Sequence, residues 1–226
     1  MKLSVIVPAY NEKQTILEIL KRIGDVPIEK EIIVLDGCST DGTRELLKTI
    51  KDPGIRVIFE EQRKGKGAAV KRGFQEAAGD YVIVQDADLE LDPKEYPRLL
   101  EPILRKEAQV VYGSRLAEKT NKIPRHTYFA NWFLTTFLNI LFGSHLTDIE
   151  TGYKLLPADI AKKLPLKCDG FDLDPEITIQ LIRSGIKITE IPVQYAYRSK
   201  NHGKKIHWTD ALDAIFIILK LRFSFF

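Results

Sequence analysis

The chain has few of the residues that mark secreted or fibrous proteins. Its 226 residues include only two cysteines, Cys38 and Cys168, so no disulfide framework is expected and a reducing compartment fits. It contains no internal repeat and no low-complexity segment. The formal net charge of +3 is too small to argue for nucleic-acid binding, and we expect no nucleic-acid partner.

Long apolar runs are also missing. The first strand-like run ends at Pro8, too early for a signal peptide. The uncharged stretch 128–143 falls short of the ~20 apolar residues that a spanning helix needs, and Lys220 and Arg222 interrupt the apolar stretch near the C-terminus. We therefore expect a cytoplasmic protein that attaches peripherally to the cytoplasmic face of a membrane.

Short apolar runs alternate with helical stretches over the first part of the chain. Strand-like runs cover residues 3–8, 31–36, 55–60, 80–85 and 109–112, and helical stretches cover 12–23, 40–50 and 68–78. This alternation predicts an α/β fold with a mostly parallel central sheet flanked by helices. The pattern changes at Gly113. We expect one domain over residues 1–226, with a nucleotide-binding half at 1–115 and an acceptor-binding half at 116–226.

Two carboxylates, Asp86 and Asp88, follow the buried strand-like run 81–84. The carboxyl ends of strands in open α/β sheets border the crevice where ligands bind. Unpaired carboxylates are costly there unless they meet water or a cation, and a hard divalent cation that also binds a diphosphate suits them. The alternative is that Asp88 or Asp92 only starts the next helix. The capping pattern, however, is that of Asp92-Pro93-Lys94-Glu95, with Asp92 as the cap. Asp86 and Asp88 therefore still need another explanation.

Other strand ends carry further polar loops. Asp36 closes the second strand, where it could accept hydrogen bonds from a base or a ribose. Residues 63–67 form a basic, glycine-rich turn before a helix, a geometry that lets backbone N–H groups approach an anion. For Ser39 and Asp41 the alternative is simple helix capping and turn chemistry, which we expect to hold for one of the two.

Together these segments resemble glycosyltransferase family 2, and most closely its dolichyl-phosphate mannose synthase group of polyprenyl-phosphate glycosyltransferases. The resemblance runs through most of the chain. It rests on the segments 4–12, 39–43, 65–67, 86–88, 112–115, 147–148 and 151–154.

The resemblance implies a GT-A fold, a nucleoside-diphosphate sugar donor and a Mg²⁺ or Mn²⁺ ion. The implied metal ligands are Asp86, Asp88 and Glu90. The implied donor-binding residues are Pro8, Ala9, Tyr10, Glu12, Asp36, Lys66, Asp86, Ala87 and Asp88. One departure stands out: the family commonly has Asp-Asp-Gly-Ser where this chain has Asp36-Gly37-Cys38-Ser39, which weakens any inference about the base.

Two stretches favour a lipid phosphate as acceptor. The polar residues of 128–143 fall on one helical face, which fits an interfacial helix, with Trp132 suited to the headgroup level. A helix buried in the core is the alternative. The basic stretch 197–206 is either a solvated charge run or an acceptor loop. The resemblance assigns Arg198 to the acceptor phosphate, with Arg115 beside it and Lys200 transferring less surely.

A phosphate monoester is ionised near neutral pH, its second pKa being about 6, so it would need positioning and no general base. Direct displacement would invert the anomeric centre. Asp88, Arg115, Arg198 and Asp148 are the candidate catalytic residues, and Asp148 would serve as base if the acceptor were a sugar hydroxyl; a simple cap is the alternative for it. GDP-mannose is the favoured donor and UDP-glucose the next. The rival classes are a saccharide transferase, a nucleotidyltransferase and a non-catalytic nucleotide-binding protein.

Overall fold

The structure is a computed structural model that describes residues 1–198 and 208–223. Seven strands form one sheet, with the order β3-β2-β1-β4-β6-β5-β7. The strands are β1 (Leu3–Ala9), β2 (Lys30–Asp36), β3 (Ile55–Phe59), β4 (Tyr81–Val84), β5 (Val110–Ser114), β6 (Lys154–Pro157) and β7 (Ile188–Pro192).

Four neighbouring strands, β3, β2, β1 and β4, run parallel, as the alternating pattern predicts. The buried runs of β1 and β4 have apolar side chains on both faces because helices cover both sides of the sheet. Parallel strands place their carboxyl ends at one edge. Pro8, Asp36 and Asp86 therefore lie at the same edge of the sheet, and the expected mostly parallel α/β fold is confirmed.

The second half of the chain enters the same sheet in an order that the sequence pattern does not reveal. Strand β6 inserts between β4 and β5 and runs antiparallel to both, and β7 adds at the edge, parallel to β5. All four residues of β6 are buried. This strand puts the segment just before it, residues 148–153, against the end of β4 where Asp86 lies.

Eight α-helices in the described residues cover the sheet. They are α1 (Ile16–Asp25), α2 (Thr43–Lys48), α3 (Lys66–Glu76), α4 (Tyr96–Leu104), α5 (Arg125–Phe142), α6 (Ala158–Lys163), α7 (Leu173–Arg183) and α8 (Trp208–Phe223). A 3₁₀ turn, Pro93–Glu95, precedes α4, and the Asp92 side chain accepts from the Lys94 N–H there, as the capping pattern predicts.

Helices α5 and α8 pack against each other and against α7 through a separate apolar cluster. Its buried members include Leu134 and Leu138 of α5, Ile179 of α7 and Ile218 of α8. No helix among residues 1–198 and 208–223 is long and apolar enough to cross a membrane. Helices α5 and α8, which pack together on α7, form a side layer on the acceptor half of the domain.

Candidate active site

The acidic turn after β4 is held by a left-handed residue. Leu89 has φ 66°, which turns the chain so that the Glu90 N–H donates to Asp88 Oδ1 at 3.0 Å. Glu90 itself faces the other end of the chain: its Oε2 accepts from the Tyr195 hydroxyl at 2.8 Å, and its Oε1 accepts from the Arg198 N–H at 2.7 Å. The turn thus presents Asp86 and Asp88, whereas Glu90 binds the 195–198 segment.

The two aspartates lie in an electrostatic setting that favours a cation. Burial, then the charges of Asp86 and Glu90, raise the pKa of Asp88 to about 7. A lysine ammonium already lies beside Asp86, since Lys66 Nζ is 2.7 Å from Asp86 Oδ1. Burial opposes the charge of Lys66, but the carboxylates of Asp86 and Asp174 outweigh it and raise the pKa of Lys66 above its ordinary value.

A divalent ion fits this donor set in part. Carboxylate oxygens are what Mg²⁺ and Mn²⁺ prefer, and the Lys66 ammonium shows that a cation is accommodated at Asp86. Within residues 1–198 and 208–223, however, no three acidic, histidine or cysteine side chains are arranged to hold a metal ion. Glu90 would have to leave Tyr195 and Arg198 to become the third ligand, so its place in the metal site stays a prediction.

Gly152 forms one wall of this site. A Cβ added there would lie 2.6 Å from Asp86 Oδ2, so only glycine leaves the carboxylate in its place. Ala87, between the two aspartates, is buried in the core.

The glycine-rich turn 65–67 packs against protein backbone. A Cβ on Gly65 would lie 2.3 Å from the Asp169 carbonyl oxygen, and one on Gly67 would lie 2.7 Å from the Asp169 carbonyl carbon. The Ala68 N–H donates to that same oxygen of Asp169. These glycines are therefore explained by close backbone packing, and Lys66 is the residue of the turn that reaches the acidic cluster.

The residues expected to hold the nucleoside lie at the ends of β1 and β2. Ala9 is buried, its carbonyl accepts from the Gly37 N–H at 2.9 Å, and Pro8 is half-buried. Asp36 is fully buried, and its Oδ2 accepts from Arg44 Nε at 2.7 Å. A base or ribose would have to displace Arg44 to reach Asp36, so its role in binding the nucleoside stays a prediction.

Tyr10 lies in the loop after β1, and the Arg63 guanidinium is 4.1 Å from the centroid of its ring. Cys38, where the family commonly has glycine, has φ 63°. This is the left-handed region that glycine adopts without strain. Cys38 thus adopts a backbone conformation that favours glycine, the residue that the family commonly has there.

Arg115, at the end of β5, is clamped by Asp148. Arg115 Nε and the Arg115 backbone N–H donate to Asp148 Oδ2 at 2.8 and 3.0 Å, and Arg115 Nη2 donates to Oδ1 at 2.8 Å. Burial opposes the charge of Arg115, but Asp148 outweighs it and raises the pKa of the guanidinium. Asp148 is completely buried. These contacts favour a positioning task for Asp148 over the task of a base open to an acceptor.

One tyrosine joins the arginine to the acidic turn. The Arg115 guanidinium lies 5.3 Å from the centroid of the Tyr195 ring, and the Tyr195 hydroxyl donates to Glu90. Asn121 ties the same parts together, because its side chain donates to the Arg115 carbonyl and accepts from the Tyr195 N–H. A fixed cation and the acidic turn therefore lie on either side of a single aromatic ring.

Comparison with known proteins agrees with this geometry. A sequence model described as Glycosyl transferase family 2 matches residues 4–164. The chain belongs to glycosyl transferase family 2. It is therefore a glycosyltransferase, and the expected family is confirmed.

Two curated relatives and one solved structure illustrate the match. The undecaprenyl-phosphate mannosyltransferase of Micrococcus luteus is 29% identical over 90% of this chain and 87% of that protein. The dolichol-phosphate mannosyltransferase of Pyrococcus furiosus is 31% identical over 90% of this chain, which spans 59% of it. The Mycobacterium tuberculosis glucosyl-3-phosphoglycerate synthase, crystallised with Mn²⁺, UDP and glucosyl-3-phosphoglycerate, superposes with a TM-score of 0.73. It is 24% identical and the match covers 98% of this chain and 79% of that one, which supports the GT-A fold.

In this family 2 chain Arg198 contacts the loop after β1 as well as the acidic turn. Arg198 Nη1 donates to Glu12 Oε2 at 2.7 Å, and the Glu12 carboxylate also accepts from the Thr15 hydroxyl at 2.8 Å. The expected acceptor-phosphate role of Arg198 is not tested by these contacts. Lys200, like the rest of 199–207, lies outside the described residues.

The analysis of the sequence missed several polar residues of this family 2 site. Tyr195, Asn121 and Asp174 gave no local signal, because each acts through partners far along the chain. Lys154 belongs to a recognised segment, but its task was not foreseen: fully buried, it lies 2.6 Å from Asp174 Oδ1. Asp174 Oδ2 is in turn 4.0 Å from Lys66 Nζ.

Proposed function

We propose that the protein is an inverting glycosyltransferase that moves a hexose from a nucleoside-diphosphate sugar to a polyprenyl or dolichyl phosphate. Mannose from GDP-mannose is the favoured donor, with glucose from UDP-glucose next. The names of the two mannosyltransferase relatives support the lipid phosphate and the mannose. The fold of the UDP-bound and Mn²⁺-bound synthase supports a nucleotide-sugar site with a divalent ion.

The observation that carries the proposal is the clamped Arg115. Its guanidinium is fixed by Asp148 through two side-chain bonds and lies one tyrosine ring away from the acidic turn. A fixed guanidinium suits a phosphate oxyanion, because its planar N–H groups match the oxygens. The cleft thus offers a cation for the acceptor close to the carboxylates expected to hold the donor diphosphate.

The proposed chemistry uses positioning and charge. The acceptor phosphate is largely ionised at neutral pH, because its second pKa is about 6. One of its oxygens attacks the anomeric carbon while the bond from that carbon to the diphosphate oxygen breaks, and the electron pair leaves with the nucleoside diphosphate. Attack from the opposite face inverts the configuration, and no proton has to be removed.

The chain's own residues would divide this work between the two halves, 1–115 and 116–226. Asp86 and Asp88 would hold Mg²⁺ or Mn²⁺, which supplies charge neutralisation for the leaving diphosphate. Lys66 would add a second positive charge there. Arg115, oriented by Asp148, would hold the acceptor phosphate, with Arg198 completing the acceptor side.

Helix α5 supports attachment to a membrane surface, because it directs large aromatic side chains outward although its buried side already packs into an apolar cluster. Thr135 is buried and its hydroxyl accepts from the Ile149 N–H, while Asn139 bonds the backbone of Leu146. The exposed face carries Phe129 and Trp132, which are 62% and 46% exposed. A helix of a soluble protein usually carries polar side chains on its outward face, so exposed aromatic side chains there suit an apolar contact.

Helix α8 continues this surface. Its exposed apolar residues are Leu212, Phe216, Leu219 and Phe223. Because aromatic and aliphatic side chains partition into the headgroup region, the α5–α8 face would lie on the bilayer that contains the acceptor lipid. We place the protein on the cytoplasmic face, where nucleotide sugars are expected.

The test incubates purified protein and Mg²⁺ or Mn²⁺ with a polyprenyl phosphate and labelled GDP-mannose or UDP-glucose. We expect label in the organic phase, abolished by EDTA, by Asp88→Asn and by Arg115→Met. The matched control is Asp159→Asn, an exposed aspartate of α6. Label that stays in water, despite binding of the nucleotide sugar, would exclude the lipid acceptor and favour transfer to a saccharide.

The membrane proposal has its own test by sedimentation with anionic liposomes. Phe129→Ser with Phe216→Ser should reduce the bound fraction, and Leu104→Ser should not. Leu104 is an equally exposed leucine, at 64%, on the distant helix α4. A wild-type protein that stays in the supernatant would contradict peripheral attachment.

A further inference from the structure

One carboxylate oxygen near the site lacks any partner. Glu150 Oε1 is inaccessible to solvent and accepts no hydrogen bond from the described part of the chain. Its neighbours are all engaged: Asp148 binds Arg115, Ile149 N–H donates to Thr135, and Thr151 Oγ1 donates to the Gly113 carbonyl. Buried polar atoms are nearly always paired, so an unpaired one needs an explanation.

Glu150 lies between the donor and acceptor parts of the cleft. Asp148, two residues before Glu150, accepts hydrogen bonds from Arg115. Gly152, two residues after Glu150, lies so close to Asp86 that an added Cβ would be 2.6 Å from Asp86 Oδ2. Two trans peptide units span at most about 7 Å between Cα atoms, so Glu150 is close to both. The charges that act on it come from both sides: Asp174 and Lys154 on the donor side, Arg115 and Asp148 on the acceptor side.

The neighbouring charges do not satisfy this carboxylate. Burial, and next the charge of Asp174, raise the pKa of Glu150 to about 8, although Lys154 and Arg115 act in the opposite direction. The charged form of Glu150 is therefore poorly stabilised. A hydrogen-bond donor without charge of its own would supply what the protein does not, and would cost less to bring into the cleft than a further cation.

A sugar hydroxyl is such a donor. In the proposed reaction the hexose must lie between the diphosphate, near Asp86, and the acceptor phosphate, near Arg115, and Glu150 lies between these two residues. We propose that Glu150 is a specificity-determining residue that accepts a hydrogen bond through Oε1 from a hydroxyl of the transferred hexose. This inference rests on the proposed function and names the residue that recognises the sugar.

The test separates the sugar from the nucleotide. Wild type, Glu150→Ala and Glu150→Gln are titrated calorimetrically, in the presence of Mg²⁺, with GDP-mannose, UDP-glucose, GDP and UDP. A lost hydrogen bond should weaken binding of the sugar nucleotide roughly 3- to 10-fold in Glu150→Ala. The nucleoside diphosphate should bind as in wild type. Glu150→Gln keeps an acceptor oxygen and should recover part of the loss.

A specificity role gives a second readout. Wild type should distinguish GDP-mannose from GDP-glucose, and Glu150→Ala should bring the two affinities closer together, because a site built to bind a hydroxyl rejects a sugar that lacks it in that position. Glu107→Gln, a substitution of an exposed glutamate, is the matched control and should change nothing.

Three results would overturn the inference. Unchanged affinity for the sugar nucleotide in Glu150→Ala would do so and leave the proposed function standing. An equal loss for the sugar nucleotide and the nucleoside diphosphate would show that Glu150 acts on the fold. A wild-type protein that binds neither sugar nucleotide would overturn the proposed donor, and the role of Glu150 with it.

Discussion

Replacing Asp148 by asparagine tests whether this buried aspartate orients Arg115 or acts as a base. Asp148 accepts three hydrogen bonds from Arg115, two at Oδ2 and one at Oδ1. An asparagine oxygen placed at Oδ2 keeps the first two bonds. The asparagine NH₂ group then faces Arg115 Nη2, so that two donors meet and the guanidinium loses its counter-charge.

The cost should be large because the pair is buried. Asp148 is 0% and the Arg115 side chain only 11% exposed, so water does not replace the lost acceptor. Removing one partner of a buried ion pair costs about 3–5 kcal/mol. Since asparagine retains part of the contact, we expect a loss of about 3 kcal/mol in the free energy of unfolding. Transfer to the lipid phosphate should fall as well, because Arg115 is no longer oriented.

The assay is urea denaturation of wild type, Asp148→Asn, Arg115→Met and the double variant. A positioning pair predicts that the double variant is less destabilised than the sum of the single variants, with a coupling of at least ~1.5 kcal/mol. Asp159→Asn is the control, since this exposed aspartate lies 3.9 Å from Lys163 and such surface pairs contribute about 0–1 kcal/mol.

Two results would refute this reasoning. The first is a loss below about 1 kcal/mol in Asp148→Asn, which a fully buried, triply bonded aspartate does not allow. The second is an enzyme of normal stability whose turnover alone is abolished. That result would restore Asp148 as a base and favour a hydroxyl acceptor.

Three further substitutions test other parts of the site. Gly152→Ala pushes a methyl group against Asp86 and should lower kcat/KM for the donor by on the order of 100-fold, measured by initial rates. Gly65 has φ 112°, and a Cβ there would collide with a backbone oxygen. Gly65→Ala should therefore lower the free energy of unfolding by about 2–4 kcal/mol in urea denaturation. Gly143→Ala should cost less, because the space around a Cβ on Gly143 is open. Because the pKa of Glu150 is raised from 4.5 to about 8 in the folded protein, its stabilising effect is complete below pH 4.5 and lost as the pH rises through 8. The unfolding free energy of wild type should therefore fall relative to Glu150→Gln between pH 5 and 8, by roughly 3–4 kcal/mol; parallel curves would contradict this.

The parallel part of the fold was predictable because its signals are local. Each of β1 to β4 is a short apolar run that ends in polar residues, and this pattern fixes both the strand and the end at which ligands bind. The antiparallel insertion of β6 was not predictable in the same way. Its four residues carry no sign of their neighbours, and its pairing with β4 and β5 depends on contacts more than 40 residues apart.

The same distinction explains which site residues the sequence reveals. Asp86 and Asp88 follow their strand directly, so one short segment identifies them. The contacts that complete the site join Glu90 with Tyr195, 105 positions apart, and Glu12 with Arg198, 186 positions apart. Side-chain pairs at such separations leave no periodicity in the sequence, and only the folded sheet brings them together.

The described contacts connect the outward helix α5 to the acceptor side of the site by a short route. Thr135 of α5 accepts from the Ile149 N–H, and Ile149 lies between Asp148, which orients Arg115, and Glu150. Asp86 and Asp88, in contrast, follow β4 in the parallel part of the sheet. Under the proposed function, a helix α5 that lies on a bilayer would therefore act first on Asp148 and Arg115. Under the proposed function, this division would let one domain take a water-soluble donor at the sheet edge and a lipid acceptor at its side.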